Sequence, residues 1–165
     1  VACRQGFHCE QGTCFLNGDD GPIQVTLQWR HEPRTPDDLD LHLIEPSGCE
    51  IYFGDANRNF EGSSCGAVGS LDLDANAFCG NTDPSGGPGS DTENIIYKPL
   101  VPTPVGHYVV KVDHWAACSG FDDVHFVVTI RNHGQLSRFE GSFSWYDADQ
   151  GGRNSGVKVA EFDVQ

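Results

Sequence analysis

Methionine is absent from this 165-residue sequence, and no apolar segment approaches the length of a membrane span. A helix that crosses a bilayer needs about 20 consecutive apolar residues, so the sequence predicts no transmembrane helix. The chain also opens without the basic, apolar and small-residue order of a signal peptide. Together with seven cysteines, these absences are typical of a processed or internal fragment of an exported protein, because disulfides persist in oxidising compartments. We expect an extracellular or cell-surface location.

Basic residues are scarce: 10 Lys and Arg stand against 24 Asp and Glu, for a net charge of −14. Binding to nucleic acid or to an anionic membrane surface depends on Lys and Arg, so neither is expected as a partner. Clustered carboxylates repel each other until a divalent cation joins them. The acidity is therefore compatible with simple solubility and with a cation site that uses a few of the acidic side chains.

The sequence has no convincing 3.6-residue apolar stripe, and short segments with period-two alternation take its place. Ile23, Val25 and Leu27 alternate with polar residues, which is typical of a half-buried strand. Similar segments recur between Gly, Pro and Asn residues. We predict an all-β fold, an antiparallel β-sandwich of about eight or nine strands with a small disulfide-rich N-terminal segment. The predicted strands begin at Ile23 and continue with 39–44, 50–53, 70–73, 94–97, 107–113, 124–131, 136–145 and 157–164.

The N-terminal segment carries three cysteines, Cys3, Cys9 and Cys14, in a C-x-x-G-x-x-C-x-x-G-x-C pattern. Such a short segment needs disulfides to hold its shape. The pattern resembles the half-EGF-like repeats of myxobacterial-type surface proteins. Three cysteines cannot pair evenly, so one partner lies elsewhere or one thiol is free or intermolecular. We predict a Cys-rich EGF-like fragment at 1–16, a linker at 17–22 and a calcium-binding β-sandwich domain at 23–165.

The other four cysteines lie within the predicted sandwich. Cys49 and Cys65 flank a predicted hairpin, whereas Cys79 and Cys118 lie in loops after the second acidic block and a long strand. We predict the pairs Cys49–Cys65 and Cys79–Cys118. On the chain-entropy model, closing the loop of about 40 residues between Cys79 and Cys118 stabilises the fold by about 4 kcal/mol.

Two short acidic blocks, 37–42 and 71–76, are the most informative feature of the sequence. In an extended chain Asp38 and Asp40 share one face, and Asp72, Asp74 and Asn76 share a face in the same manner. Calcium takes six to eight hard oxygen ligands. We predict that Ca²⁺ is bound by Asp38, Asp40, Asp72 and Asp74, with Asn76, Glu93 or a backbone carbonyl completing the shell.

The alternative for these acidic residues is that they cap turns through local hydrogen bonds, which is the commonest use of Asp at strand ends. An EF-hand is excluded, because Ala77 stands where the invariant glycine belongs. Zinc is disfavoured, because the seven histidines lack ligand spacing, although His42 shares a face with Asp38 and Asp40. The G-x-S-x-G match at 62–66 lies in a Gly/Ser loop and lacks the context of a nucleophile elbow. No catalytic residues are predicted.

A series of motifs resembles the YfaP-like family of uncharacterised exported bacterial domains. The motifs are Asp38-Leu39-Asp40-Leu41-His42-Leu43, Glu45-Pro46-Ser47-Gly48, Ile51-Tyr52-Phe53-Gly54, Leu71-Asp72-Leu73-Asp74-Ala75-Asn76, Glu93-Asn94-Ile95 and Gly106-His107-Tyr108-Val109-Val110-Lys111-Val112. The resemblance covers approximately residues 24–130. It implies a β-sandwich module of exported, often multidomain proteins and no established activity.

These observations favour a calcium-stabilised extracellular structural, adhesive or self-assembling module of a fibre or cell surface, and not an enzyme. Its partners would be other extracellular protein subunits or surface glycans. The odd cysteine and long strands able to form a sheet edge, such as Val124 to Arg131, are compatible with cross-linking or strand addition in a homo-oligomer. A carbohydrate-binding module of a secreted multidomain protein and a hydrolase accessory domain are the alternatives.

Overall fold

A computed structural model describes residues 7–10, 13–16, 21–30, 37–79, 91–118 and 122–165. Its first two strands, β1 (Phe7–Glu10) and β2 (Thr13–Leu16), form a short antiparallel hairpin. Nine further strands follow in the described residues. They are β3 (Ile23–Arg30), β4 (Asp38–Ile44), β5 (Glu50–Ile51), β6 (Ser70–Leu71), β7 (Thr92–Ile96), β8 (Gly106–Ala116), β9 (Val124–Asn132), β10 (Gln135–Phe143) and β11 (Val157–Val164).

These nine strands form two antiparallel sheets, so the predicted all-β sandwich is confirmed. The first sheet has the order β10-β9-β3-β7-β6, and the second has the order β11-β8-β4-β5. Helical structure in the described residues is limited to four 3₁₀ turns of three residues each. No helix in those ranges is both long and apolar enough to cross a membrane.

The core lies between the two sheets and follows from the period-two patterns. Val25 and Leu27 of β3 and Leu39, Leu41 and Leu43 of β4 are fully buried. Burying a side chain of this size contributes about 1.5–3 kcal/mol. The other face of β4, with Asp38, Asp40 and His42, is buried as well. This strand therefore carries a row of polar side chains into the interior.

Four strand predictions need correction. The strands predicted at 50–53 and 136–145 end earlier, at Ile51 and Phe143, and 3₁₀ turns follow at 53–55 and 145–147. Val124 to Arg131 is not an edge strand, because β9 pairs with both β3 and β10. The hairpin between β9 and β10 turns through His133 and Gly134, both with positive φ, which places β10 at the edge instead. The strand predicted at 70–73 ends at Leu71, because the chain turns at 75–76, where Asn76 is left-handed with φ 62°. Asp72, Asp74 and Asn76 therefore do not alternate along a strand.

The structure contains both predicted disulfides of the sandwich, Cys49–Cys65 and Cys79–Cys118. On β1, Cys9 carries an exposed free thiol. Cys3 lies outside the described residues, as does most of the predicted linker.

Candidate metal centre

Three of the predicted ligands converge at one end of the sandwich. Asp38 and Asp40 come from β4 and Asp74 from the segment after β6, and each offers an oxygen within 4.8 Å of the others. Calcium binds oxygens at about 2.3–2.6 Å, so oxygens on opposite sides of one ion lie about 5 Å apart. The three carboxylates have the spacing of ligands to a single calcium ion.

Glu93 of β7 joins the two acidic segments. Its Oε2 accepts a hydrogen bond of 2.8 Å from the Leu41 N–H, and its Oε1 accepts one of 2.9 Å from the Ala75 N–H. The side chain is fully buried. Each Glu93 oxygen is thus already engaged by the backbone of one segment, and the residue positions the ligands of both blocks.

The turn after Asp74 is fixed to Asp38. The Phe78 N–H donates a 2.7 Å hydrogen bond to Asp38 Oδ2. Asn76, Phe78 and Cys79 all have left-handed backbones, with φ of 62°, 55° and 58°. Such conformations are costly for residues other than glycine and persist where surrounding contacts impose them. The Cys79–Cys118 disulfide and the Asp38 carboxylate supply those contacts here.

Two carboxylate oxygens of the centre are buried without compensation. Asp38 Oδ1 and Asp40 Oδ2 have no hydrogen-bond partner among the described residues, and the two side chains are 1% and 2% exposed. A buried ionised oxygen without a partner is strongly unfavourable, so it takes a proton or a cation. These residues line a cavity of about 10 Å³ together with Asp74, Phe53, Ala77, Phe78 and Trp115. That volume holds one ion or one water and excludes an organic ligand.

Burial and mutual repulsion perturb the titration of the centre. Burial, together with the charges of the neighbouring Asp38, Asp74 and Asp113, raises the pKa of Asp40 to about 9. Burial likewise raises the pKa of Asp38 to about 7 and, with the charge of Asp40, raises that of Glu93 well above its ordinary value. Without a cation, these carboxyl groups share protons at neutral pH.

Positive charge at the centre is limited. Arg58 Nη2 lies 4.0 Å from Asp74 Oδ2, and the arginine side chain is half exposed. Burial raises the pKa of Asp74 despite this neighbour. One solvent-exposed guanidinium is a weak counterion for a group of buried carboxylates. The arrangement favours a divalent cation as the compensating charge.

Asp113 of β8 is an acidic neighbour of the centre that sequence reasoning missed. It lies directly opposite Asp40 in the β4–β8 ladder and is 2% exposed. Burial raises its pKa, although the Ser155 hydroxyl donates a 2.8 Å hydrogen bond to its Oδ2. Asp113 lies in an apolar strand motif about 70 residues after Asp40, and only the pairing of β4 with β8 brings the two together.

Like Glu93, the predicted ligands Asp72 and Asn76 lie outside this three-carboxylate cluster. Asp72 accepts hydrogen bonds from the Asn94 backbone N–H at 2.8 Å and from the Asn94 amide at 3.0 Å. Asn76 donates to the Asp37 carbonyl at 3.1 Å. Both contacts join distant parts of the chain, so they differ from the local turn caps that were the alternative for the acidic blocks, and they engage both side chains with protein groups.

The buried histidines engage carboxylates outside the cluster. His42 Nδ1 lies 3.0 Å from Glu50 Oε1, and His114 Nε2 lies 3.0 Å from Asp37 Oδ2. Within the described ranges, the candidate metal cluster consists of Asp38, Asp40 and Asp74 alone. An all-oxygen donor set suits hard cations such as calcium and magnesium and does not suit zinc.

Comparison with protein-family models, curated proteins and solved structures finds no match for this chain. The resemblance to YfaP-like exported domains stays a prediction.

Proposed function

We propose that this domain binds one calcium ion between Asp38, Asp40 and Asp74 and acts as a calcium-stabilised extracellular structural or adhesive module. The observation that carries the proposal is the pair of buried, unpartnered oxygens, Asp38 Oδ1 and Asp40 Oδ2, at a cavity of the size of one ion. Calcium would supply the partner that both oxygens lack, and water or backbone carbonyls would complete its shell.

The donor set favours calcium over magnesium. Magnesium holds its ligands at about 2.0–2.1 Å in a nearly ideal octahedron and gives up its water reluctantly. It is usually held by one or two carboxylates and substrate phosphates, whereas calcium accepts all-protein carboxylate sites. Three carboxylates from two segments, all within 4.8 Å of one another, form a site of the second kind.

Calcium would fix the turn that carries Phe78. This aromatic side chain is 74% exposed, and its ring centroid lies 4.7 Å from that of Trp115. The turn and β4 meet through Asp38, so an ion at Asp38 holds the exposed ring in one place. An exposed aromatic side chain on a rigid support suits an adhesive contact.

Thermal melting of the oxidised protein in calcium, in magnesium and in chelator tests the proposal. If the dissociation constant is near 10 µM, millimolar calcium stabilises the fold by about 2.7 kcal/mol through linkage. Asp74→Asn should abolish the calcium-specific rise in Tm. Asp72→Asn is the matched control, because Asp72 lies two residues before Asp74 but its carboxylate is bonded to Asn94 of β7, so the substitution should leave the rise intact. Equal melting of the parent in calcium and in chelator would overturn the proposal.

A further inference from the structure

The two sheets expose different edges along one side of the sandwich. Strands β10 and β11 flank a groove of about 710 Å³ whose apolar lining includes Phe126, Phe139 and Phe143. Strand β11 has an irregular register between Lys158 and Ala160, and a bulge or an edge lysine is a feature that discourages pairing with another chain. Strand β10 pairs with β9 in unbroken register over nine residues and contains neither proline nor lysine. The β10 edge is therefore open to strand addition.

The outward hydrogen-bonding groups of β10 follow from its hairpin. The two-residue turn at His133 and Gly134 makes Gln135 and the alternate residues after it bond to β9. The N–H and C=O groups of the intervening residues point away from β9. Backbone hydrogen bonds formed outside the ladders by the described residues do not involve these groups. The four residues concerned are Leu136, Arg138, Glu140 and Ser142.

We propose that β10 pairs antiparallel with β10 of a second copy of this chain, with Phe139 on the two-fold axis. This register places Arg138 of each copy opposite Glu140 of the other, and Leu136 opposite Ser142. Each of the four outward pairs exchanges two backbone hydrogen bonds, about eight in all. The inference rests on the proposed structural role and names its partner, but it does not depend on the calcium site.

Charge selects both the partner and the register. Arg138 and Glu140 are exposed and lie on the same face of β10, where they pair with each other at 2.6 Å. Shifting the register by two residues in either direction would set Arg138 against Arg138 or Glu140 against Glu140, which is destabilising. The proposed register alone sets opposite charges against each other twice. A self-complementary strand of this kind suits an isologous dimer.

The apolar face of β10 is also compatible with a two-fold axis through Phe139. Phe139 lies on the inner face and packs, partly buried, against the core. In the proposed register Phe139 forms a pair without direct hydrogen bonds to its own copy, and such pairs bring side chains closest, with Cα atoms about 4.5 Å apart. Two phenylalanine rings would then meet over the open end of the groove. A single strand pair is a small interface and the net charge is −14, so we expect a weak dimer.

Sedimentation equilibrium of the calcium-loaded protein tests the proposal at about 0.15 M salt, where long-range repulsion is screened. Free thiols are capped first, so that Cys9 cannot link two chains. The parent should show a reversible monomer–dimer equilibrium. Arg138→Glu and Glu140→Arg should each weaken dimerisation about tenfold or more, since each converts two attractive pairs into two repulsive ones. The double swap R138E/E140R should restore it.

A parent that stays monomeric up to millimolar concentration overturns the proposal, and so does a dimer that both single reversals leave unchanged. Melting curves of all four proteins establish that the exposed substitutions leave the fold intact. The calcium-induced Tm rise is measured on the same samples. A monomer that retains this rise refutes the strand pairing alone, whereas a dimer without the rise refutes the calcium site alone.

Discussion

The two ends of β4 each bury a carboxylate, in opposite ways. Just after the strand, Glu45 Oε1 accepts hydrogen bonds from the Val68 and Gly69 N–H groups at 3.0 Å and from the Tyr97 hydroxyl at 2.7 Å. Near the start of the strand, Asp40 Oδ2 has no such donor among the described residues. Both side chains are 2% exposed. The two side chains are equally buried, but only Glu45 is surrounded by hydrogen-bond donors.

This contrast separates a structural carboxylate from a proposed metal ligand. Burial, together with the neighbouring Glu45, raises the pKa of Tyr97, so its hydroxyl keeps its proton and remains a donor. Glu45 is thereby satisfied by protein groups alone. At the other end the neighbours of Asp40 are themselves acidic, so compensation comes from solution, as a proton or as the proposed cation. A buried acidic residue indicates a cation site only where its environment lacks donors.

The largest effect expected from this contrast is that of Glu45→Ala. The substitution leaves two backbone N–H groups and the Tyr97 hydroxyl buried without an acceptor, each at a cost of about 1–3 kcal/mol. We expect a loss of about 3 kcal/mol or more in the free energy of unfolding, equal in calcium and in chelator. Chemical denaturation in both conditions measures it. The exposed Glu61→Ala is the control and should change stability by less than about 0.5 kcal/mol.

The next effect is that of Asp40→Asn, which should depend on calcium. In calcium the variant should lose most of the linkage stabilisation, about 2–3 kcal/mol. In chelator at pH 7 the loss should be below about 1 kcal/mol, because an uncharged amide resembles the protonated carboxyl group that the raised pKa of about 9 implies. The same denaturation series measures both values. An equal loss in the two conditions would make Asp40 another structural carboxylate, like Glu45.

The sequence predicted the fold well, because its evidence is local. Alternation such as Ile23, Val25 and Leu27 marks a half-buried strand without knowledge of its neighbours. The order of strands in a sheet depends on distant pairing, and β9 was for this reason mistaken for an edge strand. Strand β9 lies between β3 and β10 because the hairpin at His133 and Gly134 pairs it with β10 and a long-range contact pairs it with β3.

The candidate site, like the fold, could be predicted only as far as local sequence evidence reaches. Asp38, Asp40 and Asp74 could be recognised from spacing, and the structure brings them together. Asp72 has the same residue type and lies two positions from Asp74, yet a turn directs it to Asn94. Asp113 carried no local signal, because its proximity to Asp40 arises from the β4–β8 ladder. Residue type suggested the chemistry, and tertiary pairing decided which residues take part.

The last prediction concerns pH and separates the two ends of β4 without mutation. In chelator the folded protein keeps protons on Asp38 and Asp40, with pKa values of about 7 and 9, which the unfolded chain releases near the ordinary value of 3.8. The folded state therefore binds more protons between these limits, and stability should fall as pH rises from about 4 to 9. Bound calcium replaces the protons, so the fall should be shallower and the calcium-induced Tm rise should grow with pH. Asp74, Glu93 and Asp113 contribute in the same direction, since their pKa values are raised as well.

Melting in chelator at pH 5, 7 and 9 measures this slope of stability against pH, and Asp40→Asn should flatten it. A chelated protein that grows more stable over this range would show that the centre holds no protons to exchange for a cation.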